Sequence, residues 1–206
     1  MVTPGPPSPF HPQAITLPAG TGLYRVLNNR RHPVEFNPGH GGPTRFAFFG
    51  DPPVPVLYAA QTEAAVVSET LLHDVPLEGG FLRPLHYCDK VAARITLTRD
   101  ARLASFVGAG LRVLKTEASR LTGTDADQYL RTVGWAEAAH GAGFDGAAWM
   151  SRRYDTDLAY VLFGDRFAQD DLVLDPGFGR VFAAGSDLDW LITFCAPLHV
   201  QVLLHS

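Results

Sequence analysis

The chain has 206 residues, 46% hydrophobic and only 18% charged, which suits one domain with a core that needs no disulfide or metal staples. Lys+Arg number 17 against 21 Asp+Glu, a net charge of −4 with no dominant basic stretch, which argues against a protein that lives by gripping nucleic acid. With Gly at 20 and Pro at 16, both above average usage, the chain reads as turns and short strands rather than a helical bundle.

Residues 1–13 carry Pro4, Pro6, Pro7, Pro9 and Pro12, and read as a flexible, solvated arm of extended polyproline character. The arm has neither the basic start nor the apolar stretch of a secretory signal. The remaining 14–206 form a single domain, in which Gly22 to Leu27 is the first clear strand. Asn37 to Pro43 is a Gly/Pro loop, Arg45 to Phe49 is an aromatic, strand-like run, and Val54 to Ala60 is the next strand.

Thr62 can cap a helix from about Glu63 to His73, with Ala64, Val67 and Leu71 at helical spacing. Val91 to Leu97 alternates as a strand, whereas Phe106 to Leu114 fits either type. Thr124 opens a capping-box-like Thr-x-x-Asp before a helix to about His140, ended by Gly141 and Gly143. Phe144 to Met150 and Leu158 to Phe163 are strands around a polar turn. From about residue 186 there is an apolar extension. Asp189, Pro197, His199 and Gln201 interrupt its run Leu188 to Leu204, so it reads as a buried strand pair or tail rather than a membrane span. Strands with two clear helices between them give the class α+β.

Cys88 and Cys195 form neither a disulfide framework nor a zinc site, and read as small buried thiols of a cytoplasmic protein. The sequence holds no phosphate-binding loop, no nucleophile elbow and no H-E-x-x-H, and its eight histidines show no metal spacing. No metal is expected. What remains is a set of polar residues beside apolar strands. Arg25 and Arg45 either pack their stems with heads at the rim, or converge on a diphosphate through bidentate guanidinium contacts. Tyr58, near a strand end, is a core ring or a stacking platform. Glu69 lies on the helical stripe Val66-Glu69-His73 beside the apolar face, and Ser151 caps a turn or faces a ligand.

Taken in order, Gly22-Leu23-Tyr24-Arg25, Thr44-Arg45-Phe46, Val56-Leu57-Tyr58-Ala59-Ala60 and Ser68-Glu69-Thr70 resemble the RES-domain family. Gly143-Phe144-Asp145-Gly146, Trp149-Met150-Ser151-Arg152 and Leu162-Phe163-Gly164-Asp165-Arg166 continue the resemblance, which spans about residues 20 to 175. Where that family usually has G-G-R-W-N, this chain has Pro43-Thr44-Arg45-Phe46-Ala47. The resemblance implies an ADP-ribosyltransferase-like fold with a split central sheet. It also implies NAD+ as substrate with no further cofactor, and a toxin role beside an antitoxin that carries a helix-turn-helix DNA-binding segment. It implies Glu69, Arg25 and Tyr58 as catalytic residues, with Arg45, Ser151 and Tyr24 binding substrate. The reaction expected is cleavage of the nicotinamide–ribose bond with phosphate or water as acceptor. Two alternatives stand beside it: a mono-ADP-ribosyltransferase acting on a protein, and an inactive NAD+-binding or interaction module.

Overall fold

The computed structural model describes residues 2–204. In chain order the strands and helices are β1 (Ala14–Leu17), β2 (Gly22–Asn28), β3 (Val56–Ala60), α1 (Glu63–Thr70), β4 (Gly80–Leu82), α2 (Pro84–Tyr87), β5 (Lys90–Leu97) and β6 (Ala101–Phe106). They continue with α3 (Ala109–Val113), α4 (Tyr129–Gly141), β7 (Gly146–Met150), β8 (Leu158–Phe163), β9 (Leu172–Val181), α5 (Gly185–Cys195) and β10 (Val200–Val202). The class is α+β, as expected.

Eight strands form one ladder in the order β1-β6-β7-β8-β3-β2-β5-β9, and β10 pairs with β4 in a separate parallel pair. β6 and β7 run parallel, and the crossover between them holds α3 and α4; the remaining neighbours in the ladder are antiparallel. Alternation assigns the faces. Along β8, Val161 and Phe163 join the cluster of Phe46, Phe106, Trp135 and Trp149, whereas Tyr160 and Leu162 join Leu23, Leu57, Ile95 and Leu103 on the other side. Truncating a buried ring such as Trp135 costs about 3–5 kcal/mol, so the first cluster fixes α4 to the sheet.

The expected split sheet is instead a continuous ladder with one seam. β2 and β3 pair at Tyr24–Ala60 alone, whereas β3 and β8 pair along five residues. Past that point β2 and β3 diverge. The chain after β2 turns back into the gap, and Asn37 exchanges backbone hydrogen bonds with Val56 at its far end.

Four expectations on local structure are corrected. Arg45 to Phe49 is an irregular segment rather than a strand, although Phe46, Ala47 and Phe49 are buried. Thr124 does not cap α4: its hydroxyl accepts from Arg45 and donates to the Leu121 carbonyl, and a 3-10 turn precedes the helix. The apolar tail forms a helix, because Leu188, Leu191 and Cys195 recur at helical spacing against α1, and only β10 is strand. The proline-rich arm is only partly solvated. Its Thr3 is buried, the Trp135 indole donates to the Pro4 carbonyl, and Phe10 meets Trp135 edge-on.

Cys88 and Cys195 are free thiols, and burial pushes the Cys195 thiol up to about 11, which leaves it inert. Among the described residues no helix is long and apolar enough to cross a membrane.

Candidate active site

The seam between β2 and β3 opens into a cavity of about 470 Å³, within the range of small-molecule sites. Arg25 to Asn28 of β2 form one wall, and Val56 with Tyr58 to Ala60 of β3 the other. Glu69, in the last turn of α1, closes one end. Thr62 places that helix: its hydroxyl accepts from the Ala65 amide as an N-cap and donates to Asp157, in the turn after β7.

That same turn holds Glu69. The buried Ser151 hydroxyl donates to Glu69 Oε1 at 2.6 Å, and the Arg153 amide donates to the same oxygen at 3.2 Å. The Arg153 side chain donates to the carbonyls of His73 and Val75, so the turn grips both the carboxylate and the chain that follows α1. Oε2 has no hydrogen-bond partner among the described residues. One oxygen is locked, and the other is left to the cavity.

Arg25 and Arg45 reach the cavity from opposite sides. Arg25 is buried on β2, and its Nη1 donates to the carbonyls of Pro33 at 2.5 Å and Glu35 at 2.8 Å, pinning the returning chain in the gap. Burial lowers its pKa to about 10, partly offset by Glu35, so it stays cationic at neutral pH. Its Nε is buried without a partner among the described residues. Arg45 is held through Nη1, which donates to the Thr124 hydroxyl at 2.9 Å and to the Thr124 carbonyl at 3.0 Å. Its guanidinium lies over the Tyr129 ring, and burial holds its pKa below the usual value.

Tyr58 does more than line the wall. Its hydroxyl accepts from the Phe46 amide at 3.1 Å and pairs with the Thr44 hydroxyl at 2.9 Å, fixing the segment that presents Arg45. Burial raises its pKa from 10 to about 12, because the phenolate cannot be solvated there. A raised phenol pKa means that the stability it contributes is complete below pH 10 and lost as pH rises towards about 12. Tyr58→Phe is therefore expected to lose about 1–3 kcal/mol at neutral pH, since the Phe46 amide is left unpaired. Urea unfolding at neutral and alkaline pH checks this: the variant's stability should fall less than that of the wild type across the same alkaline window.

A family model described as the RES domain matches residues 22–180. The chain belongs to the RES-domain family. The expected resemblance is thus borne out, and the match opens at the first residue of β2 and ends within β9. No curated protein matches the sequence. Among solved structures, a chain of the M. tuberculosis MbcT–MbcA toxin–antitoxin complex superposes with a TM-score of 0.54 at 16% identity, covering 80% of this chain and 85% of that one.

Within this RES domain, Arg25, Arg45, Tyr58 and Glu69 line one cavity, and Ser151 stands behind Glu69. Tyr24 does not join them. Neighbours on a strand face opposite ways, so as Arg25 enters the gap Tyr24 packs edge-on against Phe178 and among Ala60, Ala65 and Val66. Sequence reading gave neither Tyr129 nor His73 a site role, yet both line the cavity, joined by a 3.2 Å hydrogen bond between the Tyr129 hydroxyl and His73 Nε2. His73 lies four residues past Glu69, a spacing that could have signalled it; Tyr129 carries no such sign.

A second, smaller cavity of about 240 Å³ shares Arg45, Glu69, His73, Asp74 and Tyr129 with the first, and adds Asp125, Arg152 and Arg153. Arg152 is tethered through Nη1 to the Thr124 carbonyl and Asp125. Among the described residues no group of three or more His, Cys, Asp or Glu side chains could hold a metal ion.

Proposed function

We propose that this RES protein is the toxin of a toxin–antitoxin pair and degrades NAD+ by cleaving the nicotinamide–ribose bond, with phosphate or water as acceptor. The observation that carries the reading is Glu69: one carboxylate oxygen is fixed by Ser151 and the Arg153 amide, the other has no partner among the described residues, and the residue lines a cavity flanked by two buried arginines. In this reading the fold is ADP-ribosyltransferase-like, the β2–β3 seam is the dinucleotide cleft, and the protein acts in the cytoplasm where NAD+ is its substrate.

Bond cleavage gives an oxocarbenium-like ribose, and the N-glycosidic electron pair returns to the nicotinamide ring nitrogen, neutralising it. The leaving group needs no proton. Glu69 faces the ribose and stabilises the positive charge that develops there, a gain larger in the transition state than in the ground state. Arg25 and Arg45 anchor the diphosphate, and Tyr58 borders the nicotinamide ribose while holding Arg45 in place. Ser151 acts through Glu69. A phosphate dianion attacks the ribose without giving up a proton, beside a second cavity where Arg152 and Arg153 lie among Glu69, Asp74 and Asp125.

The MbcT–MbcA structure is described as a toxin–antitoxin complex. By analogy, a cognate antitoxin carrying a helix-turn-helix segment would cover this cleft. The test is incubation of purified protein with NAD+, with and without phosphate, and mass analysis of the products. Nicotinamide with ADP-ribose, or with its phosphorylated form, is the expected result and names the acceptor. Intact NAD+ would overturn the reading.

A further inference from the structure

The family match ends at residue 180, yet the chain beyond it reaches the site. Arg180 anchors the start of α5: its guanidinium pairs with Glu63 in the first turn of α1, bonds Asp187 at 3.1 Å, and lies 4.3 Å from the Trp190 ring centroid. From there an aromatic series runs along α5. Phe182 and Trp190 have centroids 6.3 Å apart, and Trp190 and Phe194 stack at 5.2 Å with an interplanar angle of 6°. The series ends at Tyr154, 6.5 Å from Phe194. Tyr154 sits in the turn whose Ser151 hydroxyl and Arg153 amide hold Glu69.

In that turn Tyr154 packs against Ala60, Ala65 and Val66 as well as against α5. Arg153 and Asp157 tie the turn to the two ends of α1, but the residue between Ser151 and those anchors that meets α5 is Tyr154. Phe194 also packs against the cluster containing Val67 and Leu71 of the Glu69 helix and its C-cap. Aromatic pairs at these separations attract, and Tyr154 and Phe194 meet with their planes tilted by 34°. A ring on the extension thus meets both the helix that carries Glu69 and the turn that orients it.

We propose that Phe194, through Tyr154, is a positioning residue for Glu69, making the segment beyond the matched domain a working part of the site. This rests on the proposed NAD+ cleavage for its kinetic readout, but not for its structural one. Phe194→Leu keeps apolar volume and removes the ring. In that variant kcat is expected to fall by about tenfold, the scale on which small misplacements of a reacting group act, with KM for NAD+ unchanged because the arginines are untouched. Hydrogen exchange at the Arg153 amide should rise, whereas Phe194→Tyr should restore both.

Tyr154→Leu, which leaves α5 intact, should reproduce the loss, and the double variant should be no worse than either single. The proposal is overturned if Phe194→Leu leaves kcat and Arg153 exchange as in the wild type. It is equally overturned if Tyr154→Leu has no effect, or if the two losses multiply. If wild-type protein leaves NAD+ intact, the reading of the reaction fails, and the Arg153 exchange of the same variants still decides the contact.

Discussion

Glu69→Gln is expected to lower NAD+ turnover by on the order of 10²–10³-fold while the protein stays folded and still binds NAD+. The amide is isosteric, and its oxygen can go on accepting from the Ser151 hydroxyl and the Arg153 amide, so the turn keeps its hold. What disappears is the negative charge facing the developing oxocarbenium ion. Because that charge matters most in the transition state, kcat should carry the loss and the affinity for NAD+ should change little. Steady-state kinetics, calorimetric titration of NAD+ and a thermal melt check the three parts. Near-wild-type turnover in a folded variant would remove Glu69 from the chemistry.

Glu69 carried a local mark in the sequence, though only the resemblance gave it a site role. The stripe Val66-Glu69-His73 lies at the border of the apolar face of a helix, and the structure buries Val66, half-buries Glu69 and sends His73 to the cavity rim. Arg25 was legible for the same reason, as a charge inside an alternating strand. Tyr24 entered only through the resemblance; on its strand it faces away from Arg25, and the structure packs it against Phe178 instead.

What the sequence hid is held together over long separations. Arg45 to Phe49 has strand composition, but the segment is buried as irregular chain because Tyr58 and Thr132 satisfy its backbone from distant elements. The Arg45–Thr124 and His73–Tyr129 contacts join segments 79 and 56 residues apart. β9 was obscured by Asp175-Pro176-Gly177, which reads as a turn. At the sheet edge a proline is tolerated, and the pairing with β5 shifts register between Ala93 and Ile95. The tail's apolar run lost its helical signal to Pro197, which lies just past the end of α5.

Arg45 separates the two tasks that a buried arginine can carry, and two substitutions tell them apart. Its Nη1 is committed to Thr124, and its ring contact to Tyr129 is structural, whereas Nε and Nη2 have no partner among the described residues and border the cavity. Arg45→Lys keeps a cation but loses the planar fork that matches two diphosphate oxygens. KM for NAD+ is expected to rise about tenfold, roughly 1.4 kcal/mol, with kcat less affected. Arg45→Met keeps the apolar stem and removes every donor. The Thr124 carbonyl retains Arg152 at 2.9 Å, so the backbone is not wholly orphaned, and the stability loss should be about 1.5–3 kcal/mol, that of a charged hydrogen bond. Its KM should rise further than that of the lysine variant, because the charge at position 45 itself is lost. The altered neighbours of Arg45, Thr44 and Phe46, do not detach it from the cavity; they fasten it there through the Tyr58 hydroxyl. An Arg45→Lys protein with unchanged KM and a lowered melting temperature would show that Arg45 only builds the wall, and that the diphosphate is held by Arg25 alone.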